Sequence, residues 1–171
     1  MRNADETVVD AVLTASRTLV AVAARSLGTA AEDTTLAQYR ALVVLASRGP
    51  QRMGDLAEAL GVTPSTAGRM CDRLVRKELV RRHRARADRR AVLVGITGAG
   101  RQVVDAATAR RRELLAEILD RLPAAQQTAV AAAFGAFAAA AGEIPDSQWP
   151  REESGDPPAG PTPAPAKAGR P

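Results

Sequence analysis

The sequence predicts a mainly α-helical fold with one short β-hairpin, and three observations predict it. Apolar residues recur at helical spacing over most of positions 5 to 142. Aromatics make up only 2% of the chain, and its 46% hydrophobic content is mostly Ala, Leu and Val. That composition suits helices packed closely side by side better than a β-sandwich. Between Val80 and Ile96 the helical period gives way to two extended runs around a turn.

Asp5 to Leu27 carries Val9, Val12, Leu13, Ser16, Leu19, Val20, Ala23 and Leu27 as one stripe, and Gly28 stops it. Thr34 and Thr35 can cap a second helix, whose inner face is Tyr39, Leu42, Val43 and Ala46 and which Gly49-Pro50 ends. A short third helix, from about Gly54 to Leu60, turns Leu56, Ala57 and Leu60 inward. Gly61 permits the left-handed backbone of a tight turn. Thr63 then stands as an N-cap, with Pro64 at the first helical position. The fourth helix runs to about Glu78, with Ala67, Met70, Cys71, Leu74 and Val75 inward and Ser65, Thr66, Arg69, Arg73 and Arg76 outward.

Val80 to Arg84 and Arg89 to Ile96 read as two strands, although Leu93 and Val94 break strict alternation. Thr97 can cap a long helix from Gly98 to Arg121. A last helix starts at Pro123 and carries Val130, Phe134, Phe137 and Ala141 as its bulky stripe. From Pro145 onward the composition changes: eight of the eleven prolines fall in 145–171, and this stretch reads as a disordered tail. The folded body is therefore 1–144.

Charge singles out the middle of the chain. Thr66 to Arg90 holds ten Arg and Lys against three acids, whereas the whole protein carries a net charge of only +5. Local positive charge on a folded element is the footprint of a phosphate-backbone binder. Two helices joined by a glycine turn and followed by a basic hairpin describe a winged helix-turn-helix. Its second helix fits the major groove of B-DNA. Thr63, Ser65 and Thr66 lie at the leading end of that helix, and Arg69 can address a guanine through two parallel hydrogen bonds. Arg73 and Arg76, further back, face phosphates. The wing falls over the neighbouring minor groove, where Arg84, Arg86 and Arg90 are the candidates, with Asp88 placed to orient Arg90.

Other classes find no support. No Gly-x-Ser-x-Gly, P-loop or dinucleotide fingerprint is present, so no catalytic residue and no cofactor is expected. His83 and Cys71 are the only histidine and cysteine and make no metal set. One cysteine precludes an intramolecular disulfide and is compatible with a reducing compartment. Two acids precede the first apolar run, which is not a secretory pattern. Leu122 to Gly142 is 21 residues without a charge, but eleven are alanine, and the segment reads as an interface helix rather than a membrane span.

Four spaced elements resemble the MarR family of winged helix-turn-helix transcriptional regulators. They are Asp72-Arg73-Leu74 in the recognition helix, Leu79-Val80-Arg81 entering the wing, Asp88-Arg89-Arg90 within it, and Ile96-Thr97-Gly98-Ala99-Gly100 opening the next helix. The resemblance implies a homodimer. Its dimerisation domain would be built from helices at about 5–27 and 98–142, and its DNA-binding part would span about 35–96. The apolar surface of those terminal helices, more than the small winged part could cover, agrees. The resemblance further implies a cytoplasmic regulator, a repressor that binds a near-palindromic operator in double-stranded DNA and is released by a small-molecule effector. Some relatives sense oxidants through cysteine, which makes Cys71 a candidate redox site, although it lies on the buried stripe. Glu78 departs from the family, which favours a small residue there. The rival reading is a winged-helix adaptor that binds a protein partner without specific DNA readout.

Overall fold

The computed structural model describes residues 5–28, 34–84 and 91–150. Helix α1 (Glu6–Leu27) starts at Asp5, whose carboxylate accepts from the Thr7 amide at 2.9 Å, and packs along α5 (Gly98–Leu119). Helix α2 (Leu36–Arg48) opens with a reciprocal cap. The Gln38 amide donates to Thr35 Oγ1 at 3.2 Å, and the Thr35 amide donates to Gln38 Oε1 at 3.3 Å. The predicted inner face of α2 is a single stripe, yet Ala41, Leu42, Val43, Val44, Leu45, Ala46 and Ser47 are all buried. The reason is its position: α1, α3, α5 and the sheet surround it.

The next two helices are α3 (Met53–Leu60) and α4 (Pro64–Arg76). Between them Gly61 takes φ +64, and the amides of Gly61 and Val62 return to the carbonyls of Glu58 and Ala57. This closes α3 in the left-handed turn that glycine adopts without strain. Leu56, Ala67, Cys71 and Leu74 bring both helices onto the core. Val75, expected inward, is 36% exposed, because the buried arc of α4 is narrow and ends at Leu74.

The hairpin strands are β2 (Val80–Arg84) and β3 (Val92–Ile96), antiparallel, with Val80 opposite Ile96 and Arg84 opposite Val92. A third strand, β1 (Gln51–Arg52), pairs with β3, giving the order β1-β3-β2. The expected two-stranded wing is thus part of a three-stranded sheet. Strand β3 is central and packs on α2, and Val94, Gly95 and Ile96 are buried in succession. That accounts for the broken alternation at Leu93-Val94.

Helix α4 ends at Arg76, earlier than expected, because Glu78 reverses the chain with φ +58. A side chain in this conformation costs about 1–2 kcal/mol, part of which glycine returns as extra unfolded-state entropy. Glu78→Gly is therefore expected to stabilise the fold by about 0.5–1 kcal/mol, and a β-branched Glu78→Val to destabilise it. Denaturant midpoints of the two variants check the opposite signs.

Thr97 ties the wing to α5. Its Oγ1 donates to the Glu78 carbonyl at 2.7 Å and accepts from the Gly100 amide at 3.1 Å, while its own amide donates to the Leu79 carbonyl at 3.1 Å.

Helix α6 (Ala124–Ala140) has no buried residue, and its predicted bulky stripe lies open, with Phe134 42% and Phe137 56% exposed. Val8, Val9, Val12, Leu13, Leu19 and Val20 of α1 are exposed as well. By length and composition it is α1, not the charge-free stretch at 122–142, that is long and apolar enough to cross a membrane.

Residues 145–150, expected as the start of the tail, are structured. A 3-10 turn at Asp146–Gln148 returns Trp149 to the edge of the core. Proline content misleads here, because one large aromatic supplies enough apolar burial to fix a short segment. Residues 151–171 lie outside the described residues.

Candidate nucleic-acid interface

The outward face of α4 is built by its cap. Thr63 Oγ1 accepts from the Thr66 amide at 3.3 Å, so the helix starts at Pro64 and fixes the phase of everything after it. The hydroxyls of Thr63 and Ser65 stand 3.1 Å apart, Thr63 Oγ1 donates to Thr66 Oγ1 at 3.0 Å, and Arg69 Nη2 donates to Thr66 Oγ1 at 3.4 Å. A short polar chain thus runs from the cap to the first arginine. Thr63, Ser65, Arg69, Arg73 and Arg76 are exposed and Thr66 is half-buried. Among the described residues, none of Arg69, Arg73 and Arg76 forms an ion pair with an acid. Three guanidinium groups therefore line one solvent-facing side of a helix whose other side, Ala67, Cys71 and Leu74, is locked into the core.

Arg84, at the end of β2, is exposed. The other wing candidates, Arg86, Asp88 and Arg90, lie outside the described residues.

One link has no counterpart among the sequence-based expectations. Arg82 Nη2 meets Asp72 Oδ1 at 2.6 Å, joining β2 to α4 across the face the two elements share. A signal for it exists: Asp72 is the one acid among the outward residues of α4. Both partners are about half exposed, which limits the pair's worth to about 0–1 kcal/mol. Its effect is orientation, since it commits Arg82 to the protein and fixes the wing relative to the helix. His83, next to Arg82 on β2, is half-buried and lies against Gly95 and Pro50.

Cys71 is fully buried. Burial pushes its thiol pKa up, opposed only in part by the charge of Arg82. An oxidant sensor needs an exposed thiolate. The candidate redox role therefore lacks its requirement, and Cys71 serves as a small apolar side chain beneath the helix. Among the described residues no group of three or more His, Cys, Asp or Glu is arranged to hold a metal.

Comparison with known proteins agrees with this architecture. The family model described as MarR family matches residues 34–92. The crystal structure of RV1404 from Mycobacterium tuberculosis is 40% identical, covering 85% of this chain and 99% of that one, with a TM-score of 0.78. The uncharacterized HTH-type transcriptional regulator YhbI of Bacillus subtilis is 27% identical over 94 residues, and the match spans 55% of this chain and 61% of that relative. Streptococcus pneumoniae FabT, solved in complex with DNA, shares the fold at 19% identity and a TM-score of 0.63, over 81% of this chain and 98% of that one.

Proposed function

The chain belongs to the MarR family, and from that premise we propose that it is a homodimeric repressor that reads a near-palindromic operator in double-stranded DNA and is released by a small-molecule effector. The observation that carries the DNA reading is the exposed face of α4. Ser65 and Arg69 are at the end that would enter the major groove, and Arg73 and Arg76 are further back towards the phosphates. Thr63 and Thr66 hold the helix start. Arg84, with Arg86 and Arg90 beyond it and Asp88 to orient Arg90, serves the adjacent minor groove. That FabT was crystallised on DNA supports applying this geometry to a shared fold.

The homodimer is inferred from the open faces of α1 and α6. Between them runs an apolar groove of about 550 Å3, lined by Val8, Val12, Leu19, Phe134 and Phe137. Contiguous apolar surface of this kind marks an association site. The same helices in a second copy provide it with a matching face, and the two-fold symmetry would repeat the recognition helix about one turn of DNA away. On this reading the body at 1–144 divides into dimerisation helices at about 5–27 and 98–142 and a DNA-binding part at about 35–96. The apolar length of α1 then serves a seam between subunits, and the protein works in the cytoplasm.

The effector reading rests on a cavity of about 900 Å3 between α1, α2, α5 and α6. Tyr39, Arg111, Leu115 and Trp149 line it, and the Arg111 guanidinium lies 5.1 Å from the Tyr39 ring centroid. An apolar cavity with a few convergent polar groups is the usual form of a small-molecule site. A ligand bound there would shift the population towards a dimer with the wrong spacing of α4 helices.

Sedimentation analysis and a salt titration against random and selected duplexes test the proposal. A dimer whose DNA affinity falls linearly with salt on logarithmic axes, and which selects a two-fold-related sequence, supports it. A stable monomer, or a protein indifferent to DNA at low ionic strength, overturns it and favours the adaptor reading.

A further inference from the structure

Helix α6 packs only lightly on the rest of the described chain, and none of its residues is buried. The short segment after it is held far more firmly. Gly142, at φ +70, turns the chain back. The Arg40 guanidinium of α2 then grips Glu143 with a two-pronged pair, Nη1 to Oε1 and Nη2 to Oε2, both 2.7 Å. Arg112 of α5 reaches Asp146 at 3.3 Å. Arg101 of α5 donates to the Pro150 carbonyl at 3.1 Å and to the Ala46 carbonyl of α2 at 3.4 Å. Trp149 lays its indole against the core and donates Nε1–H to the Ile144 carbonyl at 2.8 Å.

We propose that residues 142–150 form a latch that fixes α6 to the winged half of its own subunit, and that opening it loosens the grip on DNA. The functional half of this inference rests on the DNA-binding reading above. Three observations support it. The anchors come from α2 and α5, the helices that also carry the winged half. The pairs are partly exposed, so the latch is held by interactions that open at modest cost. Its inner side, from Ile144 to Trp149, forms one wall of the large cavity, so a change in that cavity bears on the latch directly. The latch therefore joins the C-terminal helix to the wall of the cavity and, through α2 and α3, to the recognition helix. The Arg40–Glu143 pair stays charged at neutral pH, because the hydrogen bonds from Arg40 hold the Glu143 carboxyl below its usual range.

Trp149 is the only tryptophan, so emission excited at the red edge, where Tyr39 does not absorb, comes from the latch. Arg40→Glu sets like charges against each other, and Arg40→Glu/Glu143→Arg restores the pair with reversed polarity. Arg40→Glu is expected to shift the emission to the red and raise acrylamide quenching without loss of far-ultraviolet helicity. It is also expected to weaken binding to a selected duplex about three- to fivefold, the equivalent of an ion pair worth up to about 1 kcal/mol. The double variant is expected to return both signals to wild type. Glu143→Gln, isosteric at a half-exposed position, gives the same two readings should Arg40→Glu lose helicity. Unchanged emission in the single variants overturns the latch. Altered emission with unaltered DNA affinity overturns its coupling to DNA. A wild-type chain that binds no duplex sinks the DNA reading alone, and the emission arm still judges the latch.

Discussion

Gly100→Ala is expected to destabilise the protein by about 3 kcal/mol, the upper part of the range for forcing one extra methyl into a packed site. A Cβ at Gly100 would meet the Leu79 carbonyl oxygen at far less than contact distance and stand 2.8 Å from Ile96 Cγ1. The first obstacle is backbone, which cannot swing aside as a side-chain end would. It is also a group in use, since the Leu79 carbonyl accepts from the Thr97 amide at 3.1 Å. Relief would require α5 to lift off the base of the wing. Gly98 in the same helical turn is the control. A Cβ there meets nothing within 4 Å, so Gly98→Ala is expected to be neutral or to gain up to about 1 kcal/mol from helix propensity. Urea melts of both variants check the contrast in midpoint at constant slope. Equal effects at the two glycines would remove the steric account.

Arg69→Ala is expected to cost about 1–3 kcal/mol on a selected operator and to relax the base preference at one position in each half-site. Arg69 is exposed, lies nearest the helix start of the three arginines, and its guanidinium is steered by Thr66 Oγ1 at 3.4 Å. Arg73→Ala, further along the same face, is expected to weaken selected and random duplexes by similar factors and to reduce the salt slope by about 1 per site. Fluorescence anisotropy against both duplexes at several salt concentrations separates a base reader from a phosphate contact. An Arg69→Ala protein with wild-type operator affinity would remove the base-reading role.

The parts of this fold that are legible in the sequence are those with a strong local cause. Thr35, Thr63 and Thr97 cap helices where their hydroxyls and the residues after them demand it. Gly61 supplies the left-handed turn, and the period change at Val80 marks the wing. The illegible parts depend on distant partners. Gln51–Arg52 has too few residues for any period and is a strand only because β3 lies beside it. Arg40 and Glu143 are 103 residues apart, and no local pattern joins them. The stripe of α6 is plainly apolar, but a stripe does not say what covers it, and within one subunit Phe134 and Phe137 stay exposed. At the candidate interface, the outward arc of α4 is readable because its inward arc is so clearly apolar. The Asp72–Arg82 tie is not, since it requires the approach of β2 to α4.

The burial of α2 on almost every side has a practical consequence for anyone re-engineering the protein. From Ala41 to Ser47 the helix has no solvent-facing arc and so no silent position, and a change of one methyl there is transmitted to the sheet and the neighbouring helices at once. Libraries seeking new operator preferences should therefore leave 41–47 untouched and diversify the exposed Ser65 and Arg69, not the buried Ala67 between them.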